Sequence, residues 1–460
     1  MDDKRQKNQM DLAYPKREAR EACRTPGRGT ESSPAARQPE RPANHDGLME
    51  AICERENLQE ALARVRANKG STGVDGMTVD ELPAHLKAHW PTIKEQLLSG
   101  TYRPQPVKRV EIPKPDGGVR KLGIPTVLDR FIQQAIGQVL SPIWEPTFSE
   151  HSYGFRPGRS AHQAVAQAQA FIVEGRGWVV DLDLEKFFDR VNHDMLMARL
   201  ARRVSDKRLL KLIRAYLRTG VMEHGLVSGS AEGTPQGGPL SPLLSNIVLD
   251  DLDKELEKRG HAFVRYADDC NIYVRSERSG QRVMAGVSRF ITVKLKLKVN
   301  QDKSAVDRPS RRKFLGFSFT AGKQPRRRIA PKSLQRCKTK LRELTRRTRG
   351  VDAKRMVREV ATYLRGWIGY FGFCQTPSVL RALDAWIRRR LRAVAWKQWK
   401  RGRTRFARLR QRGLSKDLAA ITACLQSPWR ASRSPGLHAA LPNALWAHLG
   451  LPTLACMVTA

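Results

Sequence analysis

Three aspartates are spaced so that they could hold metal ions. Asp268 and Asp269 are adjacent within FVRYADDCNIYV, residues 263–274, which reads as two short strands folded about an Ala-Asp-Asp tip. Asp183 falls near the end of WVVDLDL, residues 178–184, which reads as a buried strand. Adjacent carboxylates flanked by apolar strands are costly unless a cation neutralises them. Magnesium prefers carboxylate oxygens and keeps several of its waters, so two or three aspartates suffice. Phosphoryl transfer from a nucleoside triphosphate needs carboxylates converging on two such ions. One activates the attacking 3′-oxygen and the other steadies the leaving pyrophosphate. An Asp-Asp pair by itself is usually only a turn, so the surroundings must decide.

The elements that would position these groups interleave strands and helices, which implies an α+β domain rather than a repeat or an all-helical bundle. Leu58, Leu62 and Val65 suggest a first amphipathic helix, and NKGSTGVDG at 68–76 a turn-rich loop. Residues 107–124, VKRVEIPKPDGGVRKLGI, carry a hairpin signature about a Pro-Asp-Gly-Gly turn. Ser160 and Gln163 can form a capping box opening an Ala-rich helix through about Phe171. Residues 194–219 form a helical pattern closed by Gly220.

Charge narrows the class of partner. The 460 residues hold 84 Lys and Arg against 45 Asp and Glu, a net +39, which repels itself in a compact fold and normally serves a polyanion. Nucleic acid fits best, since no apolar run approaches the roughly 20 residues a membrane span needs. Residues 321–413 concentrate the charge, with 29 Lys and Arg against 4 Asp and Glu. There Thr376 can cap and Pro377 open a helix with apolar Leu380, Leu383, Ile387, Leu391 and Val394. Arg388, Arg389, Arg392 and Lys397 are interleaved with Trp386, Trp396 and Trp399, a pattern suited to nucleic acid, the bland alternative being a solvated face. The seven cysteines form no Cys-x-x-Cys pair, which argues against a zinc ribbon or disulfide framework and for a reducing, cytoplasmic setting of bacterial type. No apolar signal region stands near the N-terminus. Residues 1–47, polar and rich in Arg, Pro, Gly and Ser, read as a disordered basic leader.

In order along the chain, IPKPDGGVRKLGIP (112–125), YGFRPGRSAHQA (153–164), DLEKFFD (183–189), GTPQGGPLSPLLSNIVLDDLD (233–253), YADD (266–269) and FLGFSF (314–319) resemble the sequence blocks of group II intron reverse transcriptases, and PWRASRSPGLHAALPNALWAHLGLPTL (428–454) is similar to the tails of their compact bacterial class C members. The resemblance covers roughly residues 50–455. It implies a right-hand polymerase with fingers and a palm built on a split βαβ sheet over 48–320. A helical thumb and maturase-specific domain would follow over 321–415, and a basic, DNA-binding-like tail over 416–460. It implies that Asp183, Asp268 and Asp269 bind two Mg²⁺ and are catalytic, with Asp181 in support. Phe188 would lie under the incoming sugar and exclude a 2′-hydroxyl, although one of Phe187 and Phe188 should pack inward. Lys114 and Arg120 would touch the triphosphate, where an ordinary surface charge is the alternative for each. Gln236, Gly237 and Gly238 would let template and nucleotide approach the backbone. Lys303 would protonate the leaving pyrophosphate, and Arg156 would join the four basic residues above in binding nucleic acid.

The implied partners are intron RNA, an RNA template with DNA primer, target DNA and deoxynucleoside triphosphates, without a membrane. The sequence shows no paired-cysteine HNH endonuclease, so a primer from elsewhere, such as a replication fork, is expected. Two other readings stay open: a catalytically silent RNA-binding splicing factor, and a related enzyme of defence or diversification.

Overall fold

A computed structural model describes residues 47–113, 118–223, 226–228, 233 and 237–457, so the leader expected over 1–47 lies almost wholly outside the described residues. The chain forms two compact units, each stitched from separate stretches. The first takes residues up to Ser149, Glu185–Leu252 and Ile291–Lys298; the second takes Glu150–Leu184, Asp253–Phe290 and Val299 onward.

In the first unit the expected hairpin is present. Strands Val107–Pro113 and Val119–Ile124 pair antiparallel, Lys108 opposite Ile124 and Pro113 opposite Val119. Strand Val221–Glu223 adds in parallel, and Leu226–Ser228 completes a four-stranded sheet. The amphipathic pattern at Leu58–Val65 becomes helix Arg55–Asn68. Helix Val127–Trp144 starts at Thr126, whose hydroxyl accepts the Asp129 N–H. Asp129 is itself buried, and its carboxylate collects Tyr102 Oη (2.9 Å), Tyr216 Oη (3.2 Å), Thr126 Oγ1 (2.8 Å) and the Gln105 N–H (3.1 Å). Burial holds this carboxyl above its usual range, and the four donors oppose that shift. The single helical pattern of 194–219 is corrected to two helices, His193–Leu200 and Lys207–Arg218. Asp206 interrupts it by accepting the N–H groups of Arg208 and Leu209, and it also holds the Met49 N–H.

In the second unit a four-stranded antiparallel sheet runs β2–β3–β1–β4, where β1 is Trp178–Leu182, β2 Ala262–Tyr266, β3 Asp269–Val274 and β4 Ala305–Asp307. Helix Ala161–Val173, opened by the expected Ser160–Gln163 capping box, packs on β2 and β3. Gly280 of helix Glu277–Val293 fits against the sheet, because a Cβ there would lie 2.5 Å from Val306 Cγ1. Helices α1 (Pro331–Leu344), α2 (Ala353–Phe371), α3 (Pro377–Gln398) and α4 (Gly402–Gln411) follow. Pro377 opens α3, but the Thr376 side chain makes no capping bond to it. Leu380, Leu383, Ile387, Leu391 and Val394 are all buried, as their spacing requires. Residues beyond 416 join the same core through Leu437, Trp446 and Leu454. No helix among the described residues is long and apolar enough to cross a membrane.

Candidate active site

The β-sheet of the second unit brings the three aspartates to one end. Leu182 of β1 pairs with Cys270 of β3, so one step further along that register sets Asp183 opposite Asp269. Asp269 also pairs with Tyr266, which leaves Ala267 and Asp268 as the tip of the β2–β3 hairpin. Ala267 has φ +56°, a left-handed conformation unusual for alanine. The Asp183 backbone is pinned from both sides: its N–H donates to Ser304 Oγ (3.0 Å) and its C=O accepts the Asn300 N–H (2.8 Å).

The electrostatics of this end call for a cation. Surrounding protein strips hydration from Asp269, and Asp268, Asp181 and Asp183 add their negative charge; together they push its carboxyl up to about 7, against Lys313. Its side chain keeps contact with solvent, so desolvation is partial and the convergence of carboxylates is the more telling fact. Lys303 Nζ lies 3.8 Å from Asp183 Oδ2 and offsets part of the charge. Asp181 is engaged by Arg312 at 2.6 and 2.8 Å, a supporting place rather than an open one. The donor set of hard carboxylate oxygens suits a divalent cation. As the side chains stand, no three His, Cys, Asp or Glu among the described residues close into a ligand cage.

The other expected site residues are distributed unevenly. Phe188 belongs to the first unit, where Phe187 is the inward ring and Phe188, half-buried, meets it edge-on at 5.2 Å. Gly233, at φ +95°, lies against their turn, since a Cβ would fall 2.9 Å from Phe188 O. Arg120 is exposed on its strand. Gly237, at φ +132°, allows a close approach to Gly123 O, 2.7 Å from where a Cβ would be. Lys114 and Gln236 lie outside the described residues.

The basic residues separate into two kinds. Lys397 is exposed and Arg388 half-buried. Arg389 stacks on Trp429 at 3.7 Å. Arg392, by contrast, is 4% exposed and donates to Leu441 O (3.0 Å) and Asn443 Oδ1 (2.9 Å), while Arg156 is 7% exposed and donates to Ser152 O (2.8 Å). Both guanidinium groups donate inside the fold, which favours a structural place for each over a surface contact with a polyanion. Hydropathy spacing could not show this for Arg392, which lies off the apolar stripe of α3 and donates to residues some 50 positions further along the chain.

Sequence reading also missed Ser304, Arg312 and Arg265. Arg265 carried a signal: a charged residue inside an otherwise apolar strand, FVRYA, must find a buried partner.

Residues 112–319 match the family described as Reverse transcriptase (RNA-dependent DNA polymerase), and residues 334–413 match the Group II intron, maturase-specific domain. Protein YkfC of Escherichia coli (strain K12) is 35% identical over 299 residues, covering 56% of this chain and 78% of that protein. Group II intron-encoded protein LtrA of Lactococcus lactis subsp. cremoris is 37% identical over 195 residues, 42% of this chain and 32% of LtrA. A putative COX1/OXI3 intron 1 protein of Saccharomyces cerevisiae is 32% identical over 201 residues, 44% of this chain and 24% of the yeast protein. The chain thus spans about a third or less of the two intron-encoded relatives.

Proposed function

The chain belongs to the group II intron branch of the reverse transcriptases, and from that premise we propose that it is an RNA-directed DNA polymerase that copies intron RNA onto a DNA primer and assists the intron's splicing and mobility. The observation that carries this reading is the meeting of Asp183, Asp268 and Asp269 at one end of the β-sheet, where desolvation and the neighbouring carboxylates raise the Asp269 carboxyl. These three aspartates would hold two Mg²⁺. When bound, magnesium activates the primer 3′-oxygen and stabilises charge on the departing pyrophosphate.

The chain's own side chains supply the rest. Lys303, 3.8 Å from Asp183 Oδ2, would give a proton or a positive charge to pyrophosphate. Phe188 would fill the space a ribose 2′-hydroxyl needs and so select deoxynucleotides. Exposed Arg120, with Lys114, would grip the triphosphate, and the bare backbone at Gly237, with Gln236, would admit template and nucleotide. The basic helices would hold structured RNA through Arg388, Arg389 and Lys397.

Primer extension tests the proposal, with an RNA template, a DNA primer, deoxynucleotides and magnesium, beside an Asp268→Ala/Asp269→Ala protein. Extension by the natural chain alone is the expected result. No extension, with tight RNA binding retained, would leave a splicing factor without polymerase chemistry.

A further inference from the structure

We propose that Arg265 is a positioning residue for the catalytic turn: with Asp253 and Gly154 it fixes the backbone at Ala267, and through it the directions in which Asp268 and Asp269 present their carboxylates. The inference rests on the polymerase reading of that turn.

Arg265 is fully buried on β2 between apolar neighbours. A guanidinium there is tolerable only if its donors are met. Asp253, also fully buried, takes two of them in a forked pair, Nε to Oδ1 at 2.7 Å and Nη2 to Oδ2 at 2.6 Å. Nη2 also donates to Ser152 Oγ (2.7 Å), and Nη1 donates to the carbonyl of Ala267 (2.9 Å), the residue immediately before Asp268. One side chain therefore ties Asp253, Ser152 and the catalytic tip together.

The opposite side of the tip is held by backbone. The Arg265 N–H donates to His151 O and the Tyr153 N–H to Arg265 O, both at 2.9 Å, which carries Gly154 onto the turn. A Cβ at Gly154 would stand 2.2 Å from Ala267 N and 2.9 Å from Tyr266 C, so only glycine permits this closure. Between the two restraints Ala267 sits at φ +56°, a conformation that persists only where the surroundings over-determine it.

An apolar pair of similar volume would fill the same space at no loss of stability, but it could not aim a donor at the Ala267 carbonyl. That directional bond is what the buried charge adds. Groups one layer behind metal ligands act in this way, by orienting the ligands rather than touching the metal.

The test uses the full chain with Arg265→Lys, which keeps the charge but loses the fork, and Gly154→Ala, which leaves the ion pair in place and displaces the turn. Three quantities are measured: hydrogen exchange of the 263–274 segment, Mn²⁺ affinity by calorimetry, and the kcat and KM of primer extension. Expected are faster exchange confined to that segment, a loss of Mn²⁺ affinity of about 10- to 100-fold, and a comparable fall in kcat with KM for deoxynucleotide nearly unchanged. Folded variants with natural exchange and natural Mn²⁺ affinity would overturn the inference. If the natural chain fails to extend primers, the polymerase reading falls, and the exchange and Mn²⁺ measurements still decide the role of Arg265. If Arg265→Lys does not fold, Gly154→Ala decides alone.

Discussion

Replacing Arg392 by methionine separates two meanings of a basic residue on a basic helix. If Arg392 serves the fold, the change removes two charge-assisted bonds, to Leu441 O and Asn443 Oδ1, and leaves both acceptors without that donor. Bonds from a charged donor contribute about 1.5–3 kcal/mol each, a gross loss of roughly 3–6 kcal/mol. Two effects offset part of it. Burial holds the guanidinium below its usual pKa, so removing the charge relieves some desolvation, and methionine refills the space of the aliphatic stem. The net loss should be roughly 2–4 kcal/mol, which at about 2–4 °C per kcal/mol for a unit of this size lowers the melting temperature by roughly 5–15 °C. RNA affinity is then followed against salt below the melting transition. A residue that neutralises no phosphate leaves the slope of log affinity against log salt unchanged, whereas losing one phosphate contact lowers it by about 0.7–0.9. Exposed Lys397→Ala should show that lower slope with unchanged melting. An Arg392→Met protein that melts normally and loses a unit of salt slope would refute the structural assignment.

Three further outcomes are expected. Phe188→Ala should admit ribonucleotides, read as the ratio of ribo- to deoxynucleotide incorporation; an unchanged ratio would remove the sugar-gate role. Asp384→Ala should release the C-terminal segment, because its buried carboxylate accepts the Leu454 (3.0 Å) and Ala455 (3.1 Å) N–H groups, and losing both should cost about 2–4 kcal/mol locally. Limited proteolysis that cuts the variant no faster than the natural chain near 450 would contradict this. Asp129 makes stability depend on pH in a defined sense: its raised carboxyl pKa means the folded state binds the proton more tightly, so its contribution falls as pH rises from 3.8 through the folded value. Urea unfolding should therefore show the natural chain gaining on Asp129→Asn as pH is lowered towards 3.8, and a gain in the other direction would count against the buried-carboxylate account.

The parts of this molecule that follow from local rules were readable in advance. Short apolar runs gave β1 and the β2–β3 hairpin, and the Ser160 capping box gave its helix. The 107–124 hairpin followed from its turn residues. What failed depended on choices between local signals or on distant partners. Asp206 reads equally as a helix surface residue or as a cap, and the cap prevailed because it also holds the Met49 N–H, 157 residues away. Thr376 and Pro377 carry the same start signal, and proline alone sufficed. Arg392 and Lys397 have the same charge and lie five residues apart on one helix, yet one donates to residues 441 and 443 and the other faces solvent. The Arg265–Asp253 pair spans only 12 residues, but no periodic pattern distinguishes a carboxylate that turns inward from the acidic residues beside it.

The stitching of each unit from separate stretches bears on how the chain is made. On the ribosome, the first unit has its opening segment once Ser149 has emerged, but its last strip ends only at Lys298. At about 5–20 residues per second, the roughly 150 residues between them take about 7–30 s to synthesise. During that interval buried Asp129 waits for the Tyr216 hydroxyl and strand Val107–Pro113 for its parallel partner Val221–Glu223, while the opening strand of the second unit, β1, is already out. Neither unit can close in simple N-to-C order, so newborn chains of this kind should depend on chaperone shielding in the middle of translation rather than at its end.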